Sequence, residues 1–242
     1  LGLGIGANTA LFGAVHHTLL AKLPWPDAER VVRIHGSHHE TPREEGQLSS
    51  ADVVDFAARQ RSFDAFGWFS HASYTWTGGD SPLRLEAVRV TPEVFEVLDV
   101  RPALGRALSA EDQLRGEPYA IVLTDSAWRT LLGADPSAVG RIVRLSGIPR
   151  EIVGVMPPGF RWPEGNAAVL SALDLRPVFA DANRARRWRF LGAYGRLKEG
   201  VTPAMAEADL AAIARDLERE HPSANGGIGV NVRTVRESMV GR

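Results

Sequence analysis

The sequence contains no cysteine. That excludes disulfides, thiolate metal sites and a cysteine nucleophile, and leaves the compartment undecided, since secreted chains need not carry cysteine. Lysine occurs only at Lys22 and Lys198, which argues against Schiff-base chemistry and a phosphate-binding P-loop. No charge of either sign accumulates: 28 basic and 29 acidic residues leave −1 over 242 residues. No global field therefore draws the chain to nucleic acid. Repeats at solenoid periods and low-complexity tracts are missing. So is a G-x-S-x-G elbow; Ser126, following Asp125, reads as a helix N-terminus instead.

Charge is also missing locally. From Leu1 to Ala21 there is no Asp, Glu, Lys or Arg. A helix of that span is about 31 Å long, the thickness of a bilayer's hydrocarbon core. Gly2, Gly6, Ala10 and Ala14 form a small-xxx-small stripe, which lets two helices approach closely in lipid. Lys22 and Trp25 follow, a cation and an amphipathic aromatic suited to a membrane–water interface. Residues 1–26 are thus expected to be a transmembrane or stalk helix in contact with membrane lipid, within a longer protein. A cleaved signal peptide lacks support, because neither a basic n-region nor a small-x-small cleavage site is present. Gly2, Gly4 and Gly6 imitate a dinucleotide fingerprint, but no strand precedes them. The competing reading is a buried helix of a soluble domain, since Gly4, Asn8, Thr9 and His16-His17 dilute the hydropathy.

The rest of the chain has ordinary composition, 44% hydrophobic and 24% charged, and length enough for a sizeable core. Val31–Ile34 reads as a short strand and the polar, turn-rich stretch Gly36–Gln47 as a solvated loop. Ser49, with Asp52 three residues on, predicts a helix reaching Gln60. Phe66–Trp76 and Leu83–Val90 flank Gly78-Gly79-Asp80 and predict a hairpin. A short helix should follow Pro92, then a strand at Tyr119–Leu123 and a helix near Ser126–Leu132. A second hairpin pairs Arg141–Leu145 with Glu151–Val155, and Arg189–Arg196 is a further strand. Thr202 and Pro203 open the best helix, with Leu210, Ile213, Ala214 and Leu217 on one face. Ile228–Val235 is a last strand, after which Arg236–Arg242 leads out. Interleaved helices, strands and hairpins predict a mixed α+β fold.

Candidate chemistry is sparse. His35, His38, His39 and Glu40 could hold a metal ion, yet the spacing fits no zinc-protease helix, and a solvated loop is the better reading. The carboxylates at Glu44-Glu45, Glu111-Asp112 and Glu218/Glu220 are read as surface groups. Arg184, Arg186, Arg187 and Arg189 around Trp188 could bind phosphates. Salt bridges to the acidic helix Glu207–Glu220 explain them equally well. Trp68, Trp76, Trp128, Trp162 and Trp188 could line a ligand groove, but large aromatics mostly fill cores. No catalytic residue, cofactor or metal is called, and the chain is read as no enzyme.

Five segments, in order, resemble one family. They are Leu3–Phe12, Phe95–Arg106, Val139–Gly147, Ile152–Phe160 (IVGVMPPGF) and Gly195–Pro203 (GRLKEGVTP). They are similar to the MacB/FtsX-type ABC transporter permeases, and to the MacB-like periplasmic core domain of duplicated acidobacterial permeases in particular. The resemblance implies a bacterial inner-membrane protein whose two-lobed α+β domain lies on the extracytoplasmic side. One lobe, α/β and membrane-proximal, comprises about 27–91 and 187–238; the other, rich in β-hairpins, is inserted at about 92–186. It further implies mechanotransmission: a cytoplasmic ABC ATPase drives the membrane helices, the helix Gly2–Leu23 passes the movement on, and a substrate is exported or extracted. A second permease copy or half is an implied partner, a periplasmic adaptor is left open, and nucleic acid is not expected. Relatives often carry Tyr-Pro where Ser49–Asp52 stands here, and have no pair like His16-His17. The alternative is a membrane-anchored extracytoplasmic substrate-binding module without transport coupling.

Overall fold

The computed structural model describes residues 25–79 and 81–240. The apolar run, its stripe Gly2, Gly6, Ala10 and Ala14, the pair His16-His17, and Lys22 lie outside the described residues. Among the described residues no helix is long and apolar enough to cross a membrane.

The first strand outruns its apolar residues. β1 spans Val31–His38, turns, and continues as β2 at Thr41–Gly46. The expected loop at Gly36–Gln47 is therefore corrected to a hairpin. What extends β1 is a partner nearly two hundred residues away: the last strand pairs with it from Val32↔Thr234 to His38↔Ile228. Local sequence carries no trace of such a ladder. Gly36 is needed here, since a Cβ would stand 2.5 Å from the carbonyl oxygen of Gln47.

β3 (Leu48–Ser49) leads into α1 (Ser50–Arg59), where the Ser49 hydroxyl accepts from the Asp52 backbone N–H at 3.1 Å. The hairpin β4 (Phe63–Trp76) and β5 (Leu83–Val90) precedes α2 (Glu93–Leu98). Gly67 lets α2 settle directly on β4: a Cβ there would lie 2.7 Å from the Val94 nitrogen. β6 (Leu104–Gly105), α3 (Ala110–Leu114), β7 (Tyr119–Leu123), α4 (Asp125–Leu132), β8 (Ile142–Leu145) and β9 (Ile148–Val155) follow. Then come β10 (Val169–Ala172), α5 (Arg176–Phe179), α6 (Ala182–Arg187) and β11 (Arg189–Leu197). The chain ends with α7 (Pro203–Glu220), α8 (Pro222–Asn225), β12 (Ile228–Thr234) and α9 (Val235–Val240). The last helix corrects the expectation that Arg236–Arg242 only leads out. Thr234 and Glu237 cap it reciprocally, the Glu237 carboxylate accepting from the Thr234 N–H at 2.8 Å.

All strands among the described residues join one twelve-stranded sheet of order β12-β1-β11-β4-β5-β10-β7-β9-β6, with β2, β3 and β8 attached at the side. One half is open and antiparallel, β12-β1-β11-β4, and α1 and α7 cover it. Their shared core includes Val32, Ile34, Phe56, Leu191, Leu210 and Leu217. The Thr202 hydroxyl caps α7 by accepting from the Met205 N–H at 3.2 Å. Thr202→Ala is expected to cost about 1 kcal/mol, measured by urea unfolding.

The other half curls. β4 pairs with β5, β5 with β10, β10 with β7, β7 with β9, β9 with β8, and β8 returns to β4 through Trp76↔Leu145. Six strands thus close into a ring, filled by Tyr74, Trp76, Leu85, Ile121, Ile152 and Val169, with Ala127 of α4 packed on them. A third core spans both halves, from Val31, Phe69 and Tyr194 to Val122 and Val153, under α2 and the stretch Met156–Trp162.

Candidate functional site

The described chain begins and ends at the same place. Trp25, expected at a membrane interface, is 5% exposed and belongs to the core that also holds Val31 and Val235. α9 packs against β1 and against the 3₁₀ turn Ala28–Arg30. Arg196 of β11 fastens this neck: its guanidinium donates to the Pro26 carbonyl at 3.1 Å and to the Val97 carbonyl of α2 at 2.9 Å. Arg30 adds bonds to the Leu197 carbonyl and to Asp64. The incoming chain is therefore clamped to β11 and α2 together.

A second set of side chains ties the stretch after β9 to the open half. Glu164 sits in the turn Trp162–Gly165, which Gly165 completes with φ +137°. Its carboxylate is ion-paired with Arg33 of β1, accepts from the Tyr194 hydroxyl at 2.9 Å and lies 3.1 Å from His71 Nε2. Phe69 and Tyr194 stack at 5.0 Å, Trp162 meets both edge-on, and the Arg33 guanidinium lies over the Phe69 ring at 4.9 Å. Burial of Glu164 opposes its ionisation most strongly. The His71 hydrogen bond, the Arg33 charge and the Tyr194 hydroxyl together outweigh it and hold the carboxyl far below the usual carboxylate range. Sequence reading missed Arg33 and Glu164. The available signal was a lone charge at the centre of Val-Val-Arg-Ile, on the face opposite to Val32 and Ile34.

The arginine-rich segment is mostly structural, with a different partner from the one expected. Arg186 bonds Asp52 and Asp55 at 3.2 and 2.6 Å, and Arg189 bonds Asp52 at 2.6 Å. These acids belong to α1, not to the helix Glu207–Glu220; Glu220 instead pairs with Arg59. Asp52 is 1% exposed and also accepts from Asn225 Nδ2 at 2.8 Å. The residues caught together are the ones that join α1, α6 and α8.

The remaining candidates separate. His35 lies within β1, its Nε2 3.8 Å from Glu45, while His38 closes the strand, so the solvated-loop reading of this segment is corrected. Among the described residues no cluster of His, Asp and Glu is placed to hold a metal. Asp112, expected at the surface, is buried and bonded to Arg106. Burial works against its charge, and Arg106 and Ser109 overcome this to lower its pKa. Asp125 pairs with Arg129, and the Thr124 hydroxyl accepts from the Ala127 N–H to cap α4. The tryptophans do not share a groove: Trp76 and Trp162 are core, Trp68 and Trp128 half-buried, and Trp188 is exposed. Trp188 does flank a cleft of about 480 Å³, together with Phe190, Arg184, Arg89 and Ser70.

Solved structures share this architecture. The periplasmic region of MacB from Actinobacillus actinomycetemcomitans superposes with a TM-score of 0.61 at 14% identity, covering 87% of this chain and 91% of that one. A domain of a putative permease from Porphyromonas gingivalis gives 0.64 at 16% identity, covering 87% and 92%. The extracellular domain of the ABC-type transporter YknZ from Gram-positive bacteria gives 0.59 at 15% identity, covering 84% and 99%. At such identities the likeness concerns the fold. No curated protein sequence matches the chain. The class defined is an extracytoplasmic α/β domain of a membrane permease. The model of the MacB-like periplasmic core domain matches residues 1–213, so the chain belongs to that family, within the MacB/FtsX-like ABC transporter permeases. The family implies a permease that works with an ATPase component.

Proposed function

We propose that this domain is a mechanical element of its transporter, carrying movement from the membrane to a substrate outside it, with no catalytic step of its own. The observation that carries the reading is the neck. A domain driven by membrane helices needs both its ends at one place, coupled stiffly to the body. Trp25 and Val235 share one core, and Arg196 clamps the incoming Pro26 to α2 and β11. The apolar run before it, with its Gly2/Gly6/Ala10/Ala14 stripe and Lys22 at the boundary, would be the driving helix. A cytoplasmic ATPase would supply the stroke, and a second permease copy or half would face it. We assign 27–91 with 187–238 to a membrane-proximal lobe and 92–186 to an inserted one. The hairpin β4–β5 lends two strands to the ring of the latter.

The test uses the full-length permease with its ATPase in lipid nanodiscs. The domain has no cysteine, so spin labels at Thr130→Cys on α4 and Ser223→Cys on α8, both exposed, mark its two halves. Adding ATP and vanadate is expected to shift the distance distribution between them. Arg196→Ala should abolish the shift while ATP hydrolysis continues. Identical distributions with and without nucleotide in the unmodified neck would exclude mechanical coupling through this domain.

A further inference from the structure

We infer that the cleft beside Trp188 is a binding site for a small anionic amphiphile, a carboxylate or phosphate monoester with an apolar body. The sheet itself marks the place. Ser70 pairs with Arg89 and Arg89 with Ser171, so three adjacent strands present a polar row between the core under α1 and α7 and the core of the ring. Over this row lies the cavity of about 480 Å³, a volume in the range of small-molecule sites. Its apolar wall is Leu175 and Val178 together with Trp188 and Phe190, whose rings stack at 4.4 Å. Trp188 is 45% exposed even with Phe190 stacked on it, so apolar ring surface remains open at the cleft.

The charges in the cleft are unbalanced in one direction. Its acid, Asp174, is already neutralised by Arg176 through two bonds of 2.9 Å. Arg89 and Arg184 have no carboxylate within salt-bridge distance among the described residues, and Arg184 rests on the Trp188 ring at 4.5 Å. At the floor, the Ser70 hydroxyl is buried and lacks a hydrogen-bond partner among the described residues. Two forked cations, a spare hydroxyl and an aromatic wall match an anionic head on an apolar body. The inference is independent of transport coupling, because it concerns binding by the 242-residue chain without nucleotide.

Calorimetric titration with decanoate, decyl phosphate and uncharged decanol tests it. Decanoate or decyl phosphate should bind at least tenfold more tightly than decanol, and whichever anion is tighter identifies the head group as carboxylate or phosphate. Arg89→Ala and Arg184→Ala should each weaken the anion about tenfold. Arg187→Ala, on the same helix as Arg184 but outside the cleft, should leave it unchanged. Unchanged thermal unfolding of the variants would show that the loss is local. Equal affinity for decanol, no binding of either anion, or equal losses in Arg187→Ala and Arg184→Ala would overturn the assignment.

Discussion

Glu164→Gln is expected to lower the unfolding free energy by about 3 kcal/mol at pH 7, the scale seen when one partner of a buried ion pair is removed. The variant leaves the Arg33 guanidinium without its counter-charge beside the stacked Phe69 and Tyr194 rings. The pH dependence distinguishes this from loss of packing. Glu164 has a folded pKa far below its ordinary value of 4.5, so its stabilisation is complete above that value and is lost as pH falls toward the folded pKa. Wild type should therefore weaken on acidification through this group and Glu164→Gln should not. Urea titrations at pH 7, 5 and 3 should show the gap between the two proteins closing. A gap that stays constant with pH would mean that Glu164 contributes by shape alone.

Asp52→Ala should cost still more, about 4 kcal/mol, because one buried carboxylate answers to three partners. Removing it takes the carboxylate from Arg189, leaves Arg186 with Asp55 alone, and breaks the bond from Asn225. The damage should be regional. α1, α6 and α8 meet at Asp52, so their amides should exchange faster while those of the ring keep their protection. Uniform loss of protection would instead show that the two halves unfold as one unit. Asp52→Asn, which keeps one acceptor oxygen but removes the charge and turns an NH2 toward a donor, should fall between wild type and Asp52→Ala.

The parts of this fold legible in the sequence were those written by local rules. β7 and β5 appeared with their bounds, since alternation and turn residues delimit them. α1 and α7 announced themselves through Ser49 and Thr202-Pro203. The Thr234–Glu237 cap of α9 was equally local and was passed over behind a strand pattern. What local rules could not convey was pairing. The β1–β2 hairpin is polar and exists because β12 lies alongside; β10 is four residues long and parallel to β5; and the ring closes through a single pair at Trp76. The neck and the Glu164 cluster share this character. Arg196, Arg33 and Glu164 look like surface charges until residues distant in the chain, 99 to 170 positions away for Val97, Glu164 and Pro26, arrive against the arginines. The expectation that large aromatics fill cores fits Trp76 and Trp162; Trp68 and Trp128 are only half-buried, Trp188 stays outside, and Trp25, expected at a membrane interface, is core.

β4 belongs to both halves without interruption. From Phe63 to Phe69 it is paired with β11, and from Phe69 to Trp76 with β5. Its 14 residues run about 46 Å with no loop at the changeover, and the shift in its pairing with β11, at Asp64, lies away from it, so at the changeover no peptide is free to serve as a hinge. A displacement applied at Pro26 cannot swing one half about the other as a door swings. In the mechanical role proposed above it would be taken up as torsion along β4, a little at each rung, as in a bar twisted from one end. The ring would then turn rather than travel, and the polar row of Ser70 and Arg89, close to the changeover, would open or narrow with the angle.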